Sequence, residues 1–292
     1  MRTAIVSGIT GHLGSELARQ LVAAGIEVHG LSRGINSTVA GLLLHRVDGS
    51  TTGLRSILDS VRPDAAFHLA GLTRRTHQSD DVSPFIEANI LFGTQFLEAA
   101  RQSHCPYFIT AGTYLQHFKG EVGGSMNLYA ATKDAFETLI QYYVEAFELS
   151  AVRLTLCDIY SEVDSRRKLM TDIADACAGN KPLILMNEGA RLDLVHVEDA
   201  ARAFIQVAAL LERGDIEARR LSRYSVTSGQ DNTVAELLAA FERIIGKKLS
   251  VLRQEAPRLA RDMGPWRGTR IPGWTPRISL EQGIVRMLAA RG

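Results

Sequence analysis

The chain has 292 residues, 46% hydrophobic and 22% charged, with 33 basic against 32 acidic side chains, enough to bury a full core under an ordinary surface. A formal net charge of +1 supplies no general attraction to a polyanion, so no nucleic-acid partner is expected. No stretch reaches the roughly 18 apolar residues of a membrane span, and Ala4-Ile5-Val6 is broken at once by Ser7 and Gly8, so neither a membrane partner nor secretion is expected. Cys105, Cys157 and Cys177 share neither an even count nor a CxxC spacing, which favours a reducing, cytoplasmic setting over a disulfide framework or a metal site.

In chain order the hydrophobic pattern predicts a strand at 3–7, a helix at 13–24 and a strand at 27–31, punctuated by glycine. The cadence repeats as strand 65–69, helix 82–101, strand 107–110, helix 129–147 and strand 151–156. Repeated β-α units without hairpin signals imply a parallel sheet, because a parallel crossover needs a connection long enough to hold a helix. The expected class is therefore α/β, a doubly wound parallel Rossmann sheet. Past Tyr160 the rhythm breaks into a charged stretch 164–168, a helix 169–179 and a strand 182–186. It resumes with strand 192–197 and helix 199–211, and the tail from Asp231 carries a helix, a strand-like 249–252 and a Pro/Gly/Arg-rich segment.

The first strand runs into Gly8-Ile9-Thr10-Gly11-His12-Leu13-Gly14 at the start of a helix. Glycines there permit a tight bend and let a diphosphate approach the amides of the helix N-terminus, whose dipole favours anions. Gly8, Thr10, Gly11, His12, Leu13 and Gly14 are thus candidate dinucleotide-binding residues, the alternative being a plain tight turn. An NAD-selective site presents a carboxylate after its second strand, but this chain reads Gly30-Leu31-Ser32-Arg33. A hydroxyl and a guanidinium suit a 2′-phosphate, so NADP is expected; NAD stays open if Arg33 is only a solvated loop residue. Asp48 is a candidate acceptor for the adenine amino group, or else an exposed turn aspartate.

Tyr129-Ala130-Ala131-Thr132-Lys133 opens a helix, and the spacing of four puts the phenol and the ammonium on one face. A neighbouring Lys⁺ favours phenolate and lowers a tyrosine from its usual value of about 10, bringing proton exchange with a carbonyl or alcohol oxygen toward neutrality. The plain alternative is a half-buried tyrosine beside a surface lysine.

Together with His68-Leu69-Ala70-Gly71, Asn89, Thr113, Leu192-Asp193-Leu194-Val195-His196-Val197-Glu198-Asp199 and the tail from Gly273 to Gly283, these motifs resemble the extended short-chain dehydrogenase/reductase family, also called the NAD-dependent epimerases/dehydratases. The resemblance spans nearly the whole chain. It implies an NAD(P)-binding Rossmann domain at 1–160 and 191–228, and a smaller C-terminal substrate-binding lobe at 161–190 and 229–292. It implies Thr113, Tyr129 and Lys133 as the catalytic triad, with Thr113 and Tyr129 hydrogen-bonding a sugar oxygen and Lys133 holding the nicotinamide ribose. Leu69, Ala70 and Gly71 fall beside the cofactor, and Thr73, Arg166, Lys168, Arg191 and Arg258 toward a nucleotide-sugar substrate. Arg253, Arg258, Arg261, Arg267, Arg270 and Arg277, interleaved with Glu255 and Asp262, suit a diphosphate or form a solvated basic face.

Departures from the family pattern select among its reactions. The 4,6-dehydratases carry an acid two positions after the catalytic Thr, where this chain has Leu115, and the 3,5-epimerase/reductase branch uses a cysteine in a loop that here reads Thr113-Tyr114-Leu115-Gln116-His117. His117 is either a general acid or a structural histidine. Ser161 replaces a common glycine, and Leu192 stands where many members carry a phosphate-binding arginine that Arg191 can replace. The segments 112–117 and 164–169 are similar to the CDP-abequose/paratose synthase branch. The expectation is an NADPH-dependent reductase of a 4-keto-6-deoxy nucleotide sugar in deoxysugar biosynthesis, with hydride to C4 and Tyr129 as proton donor. The alternatives are a nucleotide-sugar 4-epimerase that retains NAD and an NADP-sensing regulator, against which the Tyr/Lys pair argues. The apolar stripes of helices 82–101 and 133–147 permit a homodimer.

Overall fold

A computed structural model describes residues 1–34, 39–164, 166, 168–179, 182–254 and 263–291. The elements begin β1 (Thr3–Ser7), α1 (His12–Ala23), β2 (Glu27–Ser32), β3 (Leu42–Arg46), α2 (Thr51–Val61), β4 (Ala65–His68), α3 (Val82–Ile86), α4 (Phe92–Gln102), β5 (Tyr107–Thr113), α5 (Leu128–Phe147) and β6 (Ser150–Leu156). They continue as β7 (Asp158–Tyr160), α6 (Leu169–Ala178), β8 (Leu183–Leu185), β9 (Arg191–Leu192), β10 (Leu194–His196), α7 (Val197–Arg213), β11 (Leu221–Val226), β12 (Asn232–Thr233), α8 (Val234–Ile245), β13 (Val251–Arg253) and α9 (Leu280–Ala289).

Seven strands form one parallel sheet in the order β11-β6-β5-β4-β1-β2-β3. The chain winds outward from β1 to β3, then reverses across β4 and builds toward β11, so the fold is the expected doubly wound α/β sheet. Ala4, Ile5 and Val6 are fully buried, as a strand covered on both faces requires. On one face Leu17 and Leu21 of α1 join Phe204, Val207 and Leu211 of α7 in a single apolar cluster; on the other, Leu54, Phe96 and Ile140 bring α2, α4 and α5 together. A third cluster lies apart, built from Met170 and Ile173 of α6, Leu183 of β8, Leu237 and Phe241 of α8, and Ile284 and Met287 of α9.

Side-chain chemistry sets the helix ends. Asn127 opens α5 by accepting the Ala130 N–H at 2.9 Å, and Thr233 with Glu236, and Ser279 with Gln282, form reciprocal capping boxes at α8 and α9. Six elements were absent from the predicted pattern: β3, α2, β7, β11, β12 and α9. Helix α2 starts where Ser50 accepts the Gly53 N–H at 2.9 Å, a cap too short-ranged to stand out beside the glycines around it. The predicted strand 192–197 is two pieces: β9 pairs antiparallel with β12, while β10 pairs parallel with β7. Asp193 divides them, its carboxylate accepting from the Ser228 N–H and hydroxyl, the Thr227 hydroxyl and Arg267 Nε. The predicted strand 107–110 extends to Thr113.

Candidate active site

The reversal between β1 and β4 opens a crevice at the carboxyl ends of the strands, the place where doubly wound sheets receive ligands. Gly8 lies there with φ +73°, and a Cβ on it would sit 2.5 Å from the Ala70 nitrogen and 2.6 Å from the Leu69 carbonyl carbon. A Cβ on Gly14 would fall 2.1 Å from the Gly8 oxygen, so the first turn of α1 rests directly on the bend. The Gly11 N–H closes the bend on the Gly8 carbonyl at 2.9 Å, and the Leu69 N–H donates to the Ser7 carbonyl at 3.2 Å. Thr10 and Gly11 are exposed at this mouth and Leu13 is half-buried. Two backbones in contact only through glycine, at the N-terminus of a 12-residue helix, fit a dinucleotide diphosphate.

Ser32 ends β2 and accepts the Gly34 N–H at 3.2 Å, and Arg33 beyond it is exposed. Asp48 is an exposed turn residue whose carboxylate accepts from the Ser50 N–H and hydroxyl, bonds that hold it below the usual carboxylate range.

The Tyr129 phenol is half-buried near the start of α5, and its environment differs from the expected one. Burial pushes its pKa up; the opposing influences are a hydrogen bond from Thr73 and the charge of Arg166, with Lys133 not among them. The reason is that Lys133 points elsewhere: its Nζ is buried beside Gly71, where a Cβ would lie 3.3 Å from it and 3.0 Å from Asn89 Oδ1. Burial alone lowers the ammonium to about 8. Asn89 sits fully buried in a π turn at Glu87–Leu91, accepting the Leu72 N–H at 2.7 Å and donating to the Leu72 carbonyl at 3.0 Å and Thr132 Oγ1 at 2.9 Å. It thereby fixes the segment that carries both Gly71 and Thr73. Thr113, buried at the end of β5, accepts the Leu115 N–H at 3.4 Å and donates its own N–H to Gln116 Oε1 at 2.8 Å.

The far wall comes from the charged stretch after β7. Asp164 grips Arg166 through two bonds, at 2.7 Å to Nε and 2.6 Å to Nη2. Arg166 Nη2 and Lys168 Nζ both reach the Ile159 carbonyl, at 3.5 and 3.4 Å. His12 Nε2 lies 3.7 Å from Asp164, but burial first and the charge of Arg166 second lower this imidazole to about 4, so the contact is not an ion pair at neutral pH. Next to this wall Tyr114 donates its phenol proton to Asp158 Oδ2 at 3.2 Å. Asp158, Tyr114, Asp164 and Arg75 escaped the sequence reading; the one available signal was a lone carboxylate inside the apolar run Leu156-Cys157-Asp158-Ile159-Tyr160.

Other expected contributors lie outside this cluster. Arg191 is exposed on β9 and pairs with Asp231 at 3.4 Å. Arg267 is spent on Asp193 and Asp231, Arg253 pairs with Glu188 at 2.6 Å, and the Arg277 N–H donates to Asp199 at 2.9 Å, so these three arginines tie the tail to the body. Arg258 and Arg261 fall outside the described residues. His117 lies flat on Trp266, with ring centroids 3.4 Å apart and planes 9° from parallel, and Arg153 Nη2 approaches its Nε2 at 3.3 Å. These are the contacts of a structural histidine.

The CDP-abequose synthase of Salmonella typhimurium (strain LT2) is 20% identical over 97% of this chain and 96% of its own length. The CDP-abequose synthase of Yersinia pseudotuberculosis is 25% identical over 85% of this chain and 86% of its own. Among solved structures, the UDP-glucose 4-epimerase of Thermus thermophilus in complex with NAD superimposes with a TM-score of 0.82 at 25% identity, covering 99% of this chain and 98% of that one. The model of the NAD dependent epimerase/dehydratase family matches residues 4–218, and the chain belongs to that family, an NAD(P)-dependent, nucleotide-sugar-modifying group of enzymes.

Proposed function

We propose that the protein is an NADPH-dependent reductase of the 4-keto group of a 4-keto-6-deoxy nucleotide sugar in deoxysugar biosynthesis. The observation that carries the reading is the Tyr129 phenol, bonded by Thr73 and facing the Arg166 charge, at the crevice where β1 and β4 diverge. Residues 1–160 and 191–228 hold the cofactor, and 161–190 and 229–292 form the lobe that meets the sugar nucleotide. Ser32 and Arg33, in a sequence that carries no acid at the end of β2, favour a 2′-phosphate. The bound nicotinamide supplies hydride.

Tyr129 gives its proton to the sugar oxygen as negative charge develops there, and the Arg166 charge offsets the rise in pKa that burial imposes on the phenol. Thr113 and Thr73 orient the same oxygen, and Lys133, held near 8, stands beside Gly71 ready to hold a ribose hydroxyl. Arg166 and Lys168 answer the substrate diphosphate. Resemblance to two CDP-abequose synthases over most of the chain supports this class of reaction. A nucleotide-sugar 4-epimerase using NAD is the second reading, supported by the Thermus thermophilus enzyme solved with NAD. We further infer a homodimer through α4 and α5, where Tyr142 is 56% and Phe147 43% exposed, and a cytoplasmic setting in which the cysteines stay free.

NADPH oxidation against 4-keto-6-deoxy sugars carried on CDP, GDP, UDP and dTDP tests the proposal. Tyr129→Phe is expected to abolish turnover and leave NADPH affinity within about threefold, a difference below 1 kcal/mol. Wild-type-like reduction by that variant, or NAD that stays bound through purification and supports 4-epimerisation alone, refutes the reductase.

A further inference from the structure

We propose that Tyr114 and Asp158 form a hydroxyl-reading subsite beside the redox centre, in which the carboxylate accepts a hydrogen bond from one ring hydroxyl, at C2 or C3, of the bound sugar. The proposal rests on the ketosugar reading above and deepens it.

Tyr114 follows Thr113 directly and Asp158 opens β7, so both stand at the carboxyl end of the sheet. The Tyr114 hydroxyl occupies Oδ2 at 3.2 Å; among the described residues Asp158 makes no ion pair and no hydrogen bond through Oδ1. Both side chains are half-buried, neither sealed in the core nor spread on the surface. A half-buried carboxylate given a single neutral donor has acceptor capacity left over, and its free oxygen is not sealed in the interior, so a substrate hydroxyl can take the place of water there. Burial pushes Asp158 above the usual carboxylate range, partly offset by Lys168, the Tyr114 hydrogen bond and Arg75.

Two sets of contacts bring this pair to the same cleft as Tyr129. On one side Thr73 bonds the Tyr129 phenol; two residues on, the Arg75 carbonyl accepts from Asn127 Nδ2 at 3.1 Å, and the Arg75 charge reaches both Tyr114 and Asp158. On the other, Arg166 and Lys168 meet at the Ile159 carbonyl, the residue next to Asp158. Charge then sorts the substrate. Its phosphates are drawn to the two cations and repelled by the carboxylate, which leaves Asp158 for the uncharged, hydroxylated part. A pocket built around an acceptor favours the compound that carries the matching hydroxyl over the analogue that lacks it.

The test compares nucleotide 4-ketosugars that differ only in the hydroxyl at C2 or at C3. Wild type is expected to prefer the hydroxylated compound over one deoxy congener by on the order of 100-fold in kcat/KM, the worth of one hydrogen bond to a charged acceptor at a half-open site. Asp158→Asn is expected to bring that ratio below tenfold by losing rate on the hydroxylated compound while holding its rate on the deoxy congener. Tyr114→Phe, which keeps the carboxylate but frees it, is expected to fall between the two and serves where Asp158→Asn does not fold, as judged by NADPH fluorescence. Equal losses on both compounds, or a wild type indifferent to both hydroxyls, overturn the subsite. Calorimetric affinities of the same compounds separate the two proposals. Asp158-dependent discrimination in binding without any reduction keeps the subsite and refutes the reductase, indifferent binding with reduction does the reverse, and no binding at all overturns both.

Discussion

Replacing Gly8 with alanine separates two costs that usually arrive together. At φ +73° an L-residue pays about 1–2 kcal/mol for the left-handed conformation. The new methyl would also stand 2.5 to 2.8 Å from three backbone atoms of Leu69 and Ala70, none of which can rotate aside, so β1 and β4 must part locally. Overpacking of that kind adds about 1–3 kcal/mol. Gly25 supplies the control, because it has φ +77° and nothing within 4 Å of a Cβ, leaving the dihedral cost alone. At about 2–4 °C per kcal/mol, Gly25→Ala is expected to lower Tm by about 2–8 °C and Gly8→Ala by about 4–20 °C, read by scanning calorimetry. Because the displaced backbone is the lip of the crevice, Gly8→Ala is also expected to weaken NADPH at least tenfold in a fluorescence titration, about 1.4 kcal/mol, while Gly25→Ala leaves it unchanged. Equal losses of Tm, or wild-type NADPH affinity in Gly8→Ala, would refute the reasoning.

Burial lowers Lys133 from 10.5 to about 8, so between those limits the unfolded chain holds a proton that the folded chain has released. Stability must then rise with pH across that window, and wild type is expected to gain about 1–3 kcal/mol on Lys133→Met there. Below pH 8 the variant, spared a buried charge, is the more stable. Urea unfolding at pH 7.5 and pH 10 measures this, and parallel pH dependences would contradict it. Asp199 is buried, pairs with Arg202 and receives the Arg277 and Ile278 N–H groups, both at 2.9 Å. Asp199→Ala is expected to cost about 3–5 kcal/mol and expose the chain around Arg277 to trypsin, so an unchanged digestion pattern would count against that anchoring role.

The glycine turn and the strands around it were legible because their cause is local: an apolar run, a glycine bend and a helical repeat within two dozen residues. β11 was not, because Ser222, Arg223 and Ser225 interrupt the apolar run Leu221-Ser222-Arg223-Tyr224-Ser225-Val226, which is held as an edge strand by pairing with β6. The run 192–197 reads as one strand until Asp193 is seen to bond Thr227, Ser228 and Arg267, partners 34 to 74 residues away. The same holds at the site. The Tyr129–Lys133 spacing announced itself, but the partners of the phenol, Thr73 and Arg166, come from other loops, and only the fold reveals that Lys133 turns toward Gly71 instead.

The π turn at Glu87–Leu91 makes the length of the helical run from Val82 to Gln102 a functional quantity. One surplus residue widens the winding there and lets Asn89 reach sideways to Leu72 and Thr132 at once. Deleting a residue of that turn would restore ordinary winding and close the widened loop of backbone from which Asn89 projects, leaving the flanking helix in phase. The amide would swing off its anchors, and Gly71 and Thr73 would lose their common mooring though no residue of the crevice itself had been touched. In this helix the number of residues matters as much as their identity.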